Sequence, residues 1–565
     1  MSQIMINGVQ FEAKEGETIL ELCKRNNVEI PHLCYHPDLE AQARCRICVV
    51  SVNGKLVTSC NTKVIDGMNI ITENDEIIKA RKLNMELLLA NHDAKLEDNE
   101  LGRVAKKLGV DKSRFDKIQD KTVDDSSAGI HHDNNKCILC GRCVQKCQTI
   151  QSVFAIGFEN RGHYTEVNPY FNHGLGDVSC VLCGQCTNVC PSQALMEKDY
   201  TKEVTDAIND SDKVVIVQTA PSIRGTLGET QGMEPGSLVT GKMVAALRKL
   251  GFDKVLDTNF TADLTIVEEG NELIQRVKNK GVLPQITSCS PGWVKFIEHF
   301  YPELLPNLSS CKSPQQMFGT LLKTYYAKKN NIDPSKIVSV SIMPCIAKKY
   351  EMNRPEMKDS GFKDVDYSLT TRELGRMIKD AGIDFANLED DKFDPIMGES
   401  TGAAAIFGAT GGVMEAALRT AVDILEGKDL QEIEYTGVRG LKGIKEATVK
   451  VAGIDVSVAV AHGLGNARAL MEMVKKYPSK YHFIEIMACP GGCVGGGGQP
   501  APTNSEVVKK RSEALYAEDK GLTYRKSHKN PEIIQLYEEF LKEYGSHKAH
   551  ELLHTKYTAM NELGD

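Results

Sequence analysis

Twelve of the eighteen cysteines in this 565-residue sequence fall into three spaced sets within its first two hundred residues. Cys34, Cys45, Cys48 and Cys60 form C-x10-C-x2-C-x11-C. Cys137, Cys140, Cys143 and Cys147 form C-x2-C-x2-C-x3-C, and Cys180, Cys183, Cys186 and Cys190 repeat that spacing. Disulfides would suit an exported chain, but tight CxxC groups without a signal peptide point to thiolates held for metal. Four cysteines also suit structural zinc. Iron held by thiolates changes charge by one electron with little rearrangement, so three such sets in a row predict an electron relay.

The first set resembles the 2Fe-2S domain of plant-type ferredoxins and of the N-terminal part of respiratory NADH dehydrogenase large subunits, with a longer first loop than the plant-type spacing. The paired sets resemble two-cluster ferredoxins, in which the fourth cysteine of each copy serves the other cluster. On that rule Cys147 completes a 4Fe-4S cubane with Cys180, Cys183 and Cys186, and Cys190 completes one with Cys137, Cys140 and Cys143. Pro191 follows the second copy as expected, whereas Gln148 replaces the proline of the first.

The elements that must position these thiols are readable from periodicity. Residues 1–80 alternate short β-like runs with one helical stretch, ETILELCKRNN, and form a small α+β unit in which Cys23 is a core thiol. Residues 81–135 read as an exposed helical connector, charged and poor in aromatics. Residues 136–205 hold the duplicated cysteine pattern. From 206 to 503, runs such as VVIVQTA and IVSVSIMPC read as buried strands, and GKMVAALRKLG and TTRELGRMIKDAG as helices, predicting an α/β body. Residues 504–565 read as terminal helices packing back on that body.

Composition narrows the function classes. Hydrophobic residues make up 41% and charged residues 25%, ordinary for a globular chain. The net charge of −8 with dispersed Lys and Arg lacks the footprint of a nucleic-acid binder. No charged lead precedes an apolar run at the N-terminus, and no stretch of about 18 apolar residues follows, so neither export nor membrane spanning is expected and a cytoplasmic location is.

Five cysteines remain beyond residue 200, in ITSCSPGW (Cys289), SCKSPQQ (Cys311), MPCIAKKYE (Cys345) and IMACPGGCVGGGGQP (Cys489 and Cys493). These segments resemble TSCCPxW, MPCxxKxxE and MACxxGCxxGGGQP of the FeFe hydrogenases, and the likeness runs from residue 1 to 565. It is greatest to the large, multi-subunit NAD(P)-linked type. The resemblance implies a further 4Fe-4S cubane at Cys345, Cys489 and Cys493, bridged to a two-iron centre where protons and hydrogen interconvert. It places Pro221, Ser222, Gln315, Met343, Lys348 and Met487 around that centre. Cys289, Glu269, Ser309, Glu272 and Glu351 fall at proton-route positions. On the residues alone, the glutamates of TIVEEGNEL also read as a solvated helix face. The glycine run 495–498 lacks the GK[ST] ending of a phosphate loop and reads as close backbone packing.

Two departures matter. Ser290 stands where the family has the first cubane cysteine, and a hydroxyl is a far poorer iron ligand than a thiolate. Either serinate binds, or Cys289 or Cys311 moves in, or the cubane is incomplete or absent. His92 remains from a further cluster site, but no cysteine lies between it and Cys137, so that cluster cannot form. The expected fold is multi-domain α+β and α/β: a 2Fe-2S ferredoxin-like domain, a two-cluster 4Fe-4S ferredoxin domain and a FeFe-hydrogenase-like α/β body. The expected function is an iron–sulfur electron-transfer subunit of an anaerobic oxidoreductase complex, with working hydrogen chemistry as the alternative. Its expected partners are flavin- and NAD(P)-binding iron–sulfur subunits, ferredoxin and a formate dehydrogenase subunit in an electron-bifurcating assembly.

Overall fold

The computed structural model describes residues 2–92, 99–117, 119–427, 429, 434–451 and 453–560. Parts of the expected connector (93–98 and 118) and of the terminal segment (561–565) lie outside the described residues. Two compact units account for the rest: 1–149, 154–176 and 189–196 in the first, and 150–153, 177–188 and 197–565 in the second. The segment 136–205 contributes to both.

In the first unit, β1 (Ser2–Ile6) and β2 (Val9–Ala13) form a hairpin through Asn7-Gly8, both with positive φ, as a two-residue turn requires. With β3 (Val49–Val52), β4 (Lys55–Thr58) and β5 (Asn69–Ile71) they make a sheet ordered β2-β1-β5-β3-β4. The helix Ile19–Arg25 starts at a capping box between Thr18 and Glu21 and buries Ile19, Leu20, Leu22 and Cys23. Buried Arg81, on the helix Asp75–Leu89, donates to Val49 O at 3.1 and 2.7 Å and to Thr72 O at 3.0 Å, tying that helix to β3.

Among its described residues, the 81–135 stretch is not exposed throughout. Met85 and Leu89, one turn apart, and Leu101 and Ala105 on the helix Glu100–Leu108 form an apolar face buried with Cys34, Cys45 and Ile138. Surface charge on the opposite faces masked this in the sequence. Beyond it come β6 (Val123–Asp124), β7 (Ile130–Asp133), the hairpin of β8 (Gly157–Glu159) and β9 (Glu166–Asn168), and β10 (Leu195–Glu197) beside β7. The duplication is visible in the backbone. Leu139 and Gly141 in one copy, and Leu182 and Gly184 in the other, all take positive φ, wrapping the chain tightly between cysteines.

The second unit is built on two four-stranded sheets. One runs β12 (Lys254–Asp257), β11 (Val214–Thr219), β14 (Ile337–Met343), β15 (Tyr367–Thr370), all parallel. The other runs β13 (Gln285–Ile286), β18 (Phe483–Met487), β17 (Ile454–His462), β16 (Ile444–Val451), with only the β16–β17 pair antiparallel. Parallel central strands bury both faces, which explains the continuous apolar runs of VVIVQT and IVSVSIM. The terminal helices Pro531–Leu536 and His547–Leu553 pack Ile533, Leu536, Ala549 and Leu553 against Phe260, Leu264, Phe318 and Leu321.

Candidate functional site

In open α/β sheets, ligands collect where parallel strands end. Four such ends meet in the second unit. Pro221 follows β11, Cys345 follows β14, Cys289 and Ser290 follow β13, and Cys489 follows β18. These residues, together with Cys493, Gln315, Met343, Lys348 and Met487, line one pocket with a cavity of about 70 Å³. That is room for several water-sized groups. Ser222 is buried one residue beyond Pro221, where its hydroxyl accepts from Gln499 Nε2 at 3.2 Å.

The glycine run is a packing device. A Cβ on Gly496 would lie 2.2 Å from Pro344 O, and one on Gly492, at φ +95°, would lie 2.7 Å from Thr410 N. The same run anchors the second CxxCxxC loop: Gln185 Nε2 donates to Gly495 O at 2.7 Å and Asn188 Nδ2 to Gly496 O at 2.7 Å. Cys489 Sγ lies 3.8 Å from Cys183 O.

Burial pushes all three pocket thiols up, Cys493 to about 12, with Lys348 pulling Cys345 and Cys493 the other way. Deprotonating them therefore needs a strong local cation, as an iron cluster supplies. Ser290 faces the same cavity, and its hydroxyl accepts from Ala488 N at 3.3 Å. Ser290 also stands at the N-cap position of the helix Pro291–Phe300, its side chain making no cap hydrogen bond, so its hydroxyl lies beside the positive helix end. Cys311 is not among the residues lining this pocket; its thiol faces Glu272, at 4.0 Å. Three thiols and one hydroxyl facing a single cavity thus supply four donor atoms for a cubane, and the apolar wall with Lys348 fits an anionic two-iron group.

Lys348 is held by Glu351 at 2.9 Å and donates to Cys289 O at 3.2 Å. The Glu351 carboxylate also accepts from Gln315 Nε2 at 3.0 Å and Ser313 Oγ at 2.8 Å, so it orients the pocket's cation. The helix Thr258–Lys278 supplies the acidic groups, and its glutamates are no solvated face: Glu268 is 1% exposed and Glu269 is 2% exposed. Burial and then the neighbouring Glu272 push Glu269 up to about 8. Burial and then Glu269 push the Cys289 thiol well above its usual range. Ser309 links Glu269 to Glu272, donating to Glu272 Oε2 at 2.8 Å. Glu272 keeps 14% of its side chain exposed, so the acidic groups of this helix extend from full burial at Glu269 to partial exposure. Arg276, one turn on, binds Glu272 Oε1 at 2.7 Å. Sequence reasoning passed over Arg276, although an i,i+4 Glu–Arg pair is a readable signal.

In the first unit, the thiols of Cys34, Cys45, Cys48 and Cys60 converge. Cys34 is held low by hydrogen bonds with the Cys45 and Cys60 thiols, and Cys48 by one with Cys60, while Cys45 and Cys60 are pushed up. Cys137, Cys140, Cys143 and Cys190 line one enclosure of about 10 Å³. Burial pushes Cys137 and Cys140 up to about 12. His132, on β7, lines it too, and burial lowers its pKa to about 4. The alternation IHHD was the only sequence sign of that inward histidine. Cys147 lies in the first unit, in the turn Lys146–Ile150; Cys180, Cys183 and Cys186 lie in the second. His92 follows the helix Asp75–Leu89.

Four families match the chain along its length. The 2Fe-2S iron-sulfur cluster binding domain matches residues 1–75 and the 4Fe-4S dicluster domain 136–194. The C-terminal domain of the iron only hydrogenase large subunit matches 213–497, and the iron hydrogenase small subunit 505–560. The NADP-reducing hydrogenase subunit HndD of Solidesulfovibrio fructosivorans is 48% identical over 585 residues, covering 100% of both chains. Iron hydrogenase 1 of Clostridium pasteurianum is 46% identical over 572 residues, covering 99% of this chain and 100% of that one. A solved variant of the [FeFe]-hydrogenase HydA1 from Chlamydomonas reinhardtii superposes with a TM-score of 0.58 at 41% identity, covering 64% of this chain and 99% of that one. No helix among the described residues is long and apolar enough to cross a membrane.

Proposed function

The chain belongs to the iron-only (FeFe) hydrogenase large-subunit family, and from that premise we propose that it is the hydrogen-handling iron–sulfur subunit of a multi-subunit, NADP-linked complex. Three observations meet at one cavity and support this. The Cys183 loop reaches Cys489 on one side, Cys289 and the Glu269–Ser309–Glu272 chain lie on another, and Lys348 faces in. The convergence of an electron-carrying loop with a proton-carrying chain carries the reading.

In this proposal a 2Fe-2S cluster sits on Cys34, Cys45, Cys48 and Cys60 in residues 1–80. Two cubanes, one on Cys137, Cys140, Cys143 and Cys190 and one on Cys147, Cys180, Cys183 and Cys186, occupy 136–205, and the body spans 206–503. A third cubane takes Cys345, Cys489, Cys493 and the Ser290 oxygen. When bound, it and the two-iron centre supply electrons and the place where protons and hydrogen interconvert. Around them, Pro221, Met343 and Met487 exclude water, and Gln315 and Glu351 hold Lys348 in place. Cys289 Sγ gives and takes the proton, Glu269 exchanges it with Cys289, and Ser309 passes it between the two carboxyls. Glu269, a buried acid raised to about 8, suits that work because it holds a proton at neutral pH. Flavin- and NAD(P)-binding subunits and ferredoxin are the partners this requires, in the cytoplasm.

Ser290 favours a second reading: a conduit whose body is scaffold, joined to flavin and formate dehydrogenase subunits in a bifurcating assembly. Infrared spectra and hydrogen uptake of the fully assembled protein separate the two. Carbon monoxide and cyanide bands with uptake are expected; iron-loaded protein without either would overturn the hydrogen reading in favour of the conduit.

A further inference from the structure

The carboxyl chain ends in a cluster that hydrogen chemistry does not require. Cys311 and His554 face each other across an isolated antiparallel bridge, with Thr555 N donating to Ser310 O at 2.7 Å and Lys312 N to Leu553 O at 2.8 Å. That pairing fixes a thiol and an imidazole side by side, far apart in sequence but adjacent in backbone. Glu272 reaches them from the helix Thr258–Lys278. One ligand atom from each of the three lies within 4.8 Å of the others. Cys311 is fully buried, and only 7% of the His554 side chain is exposed.

We propose that Glu272, Cys311 and His554 form a binding site for a divalent transition metal of the zinc class. A thiol, an imidazole and a carboxylate are the donor set that a borderline-soft ion selects, and water or a nearby carboxylate completes a tetrahedron. The neighbours are arranged as ligand supports. Arg276 holds Glu272 Oε1, while Oε2, fixed by Ser309 Oγ at 2.8 Å and Ser310 N at 3.1 Å, faces Cys311 Sγ at 4.0 Å. His554 Nδ1 meets Ser310 Oγ at 2.8 Å and Nε2 meets Glu268 Oε2 at 3.5 Å, so whichever nitrogen binds metal, the other keeps a partner that fixes the ring. The carboxyl groups of Glu272, Glu269 and Glu268 surround the buried Cys311 thiol, a setting in which a dication is favoured over a proton. Binding breaks the Cys311 S–H bond, forms a sulfur–metal bond and releases the proton to buffer. It also takes Glu272 out of the proton chain, which makes the site a metal-operated stop on that chain.

The test uses the full-length, cluster-loaded chain, stripped of loose metal by a chelator and titrated anaerobically with zinc sulfate. About one zinc per chain is expected to survive desalting, with one sulfur near 2.3 Å and nitrogen or oxygen near about 2.0 Å in zinc-edge absorption spectra. Cys311→Ala should remove the sulfur shell, and both it and His554→Ala should weaken retention about tenfold or more, with iron content unchanged. Cys311→Ser, nearly isosteric, guards against a folding defect and should also lose the sulfur shell. Zinc that fails to bind, or binds equally in all three variants, overturns the proposal. The readout contains no hydrogen, so failure of the hydrogen reading leaves this result standing.

Discussion

The enclosure of Cys137, Cys140, Cys143 and Cys190 and the pocket of Cys345, Cys489 and Cys493 use the same thiol chemistry for different ends. The first measures about 10 Å³ and is lined by four cysteines, with one buried histidine and little else that is polar. The second measures about 70 Å³ and adds a cation, a fourth thiol at Cys289 and access to buried carboxyls. A site that only passes electrons needs ligands and exclusion of water. A site that also makes or breaks a bond to hydrogen needs spare volume and a route for protons. By that measure the body pocket has the volume and the acidic neighbours that the proposed hydrogen chemistry needs, despite Ser290.

The comparison breaks if the carboxyl chain can be cut without consequence. Glu269→Gln keeps shape and hydrogen bonding but holds no exchangeable acid, and should lower hydrogen turnover by about 10²–10⁴-fold with iron content unchanged. Turnover with a reduced dye is the measurement; survival within a factor of two would reduce the pocket to a relay. Cutting the other region should act differently. Cys190→Ala should cost about four irons per chain, because alanine offers the cubane no ligand atom in place of the thiolate, and should slow delivery of electrons from a protein donor while a small dye still drives the pocket. Iron analysis and the ratio of the two rates check it. A milder cut is Arg276→Ala, which frees Glu272 Oε1 and removes a cation that holds Glu269 down, so turnover should slow about tenfold and its pH profile should move upward.

Much of this contrast was legible in the sequence because cysteine spacing is local. A C-x2-C-x2-C loop fixes its own turn, down to the left-handed Leu139–Gly141 and Leu182–Gly184 pairs, so candidate ligands of the proposed relay could be named residue by residue. The strands that end at the pocket were also readable as apolar runs. What escaped was long-range pairing. Nothing in SCKSPQQ announces that Cys311 meets His554, since a bridge between chain segments leaves no periodic trace. The burial of Glu268 and Glu269 was equally hidden, because a charged pair on a long helix has the pattern of a solvated face until its neighbours are known. The 81–135 helices were misjudged for the converse reason: their apolar faces are narrow beside abundant surface charge.

The smallest expected effect sharpens the comparison through stability. Glu269 has its pKa raised from the ordinary 4.5 to about 8, mainly by burial. Between those values the folded chain binds a proton that the unfolded chain has released, so folding stability falls as pH rises through this window and levels off above about 8. Glu269→Gln does not titrate, and removes this slope alone. Buried Asp263, raised to about 7, contributes a fall of the same sign, but it is present in both proteins and cancels in the difference. The groups facing Glu269 also remain: Cys289, already neutral, Ser309, and Glu272, whose charge is part of what raises it. The midpoint of chemical unfolding of cluster-loaded protein should therefore drop more between pH 6 and about 8 in the unmodified chain than in Glu269→Gln. Parallel pH dependence in the two would mean that Glu269 is ionised in the folded protein, and the proton-holding character that separates the pocket from the relay would be lost.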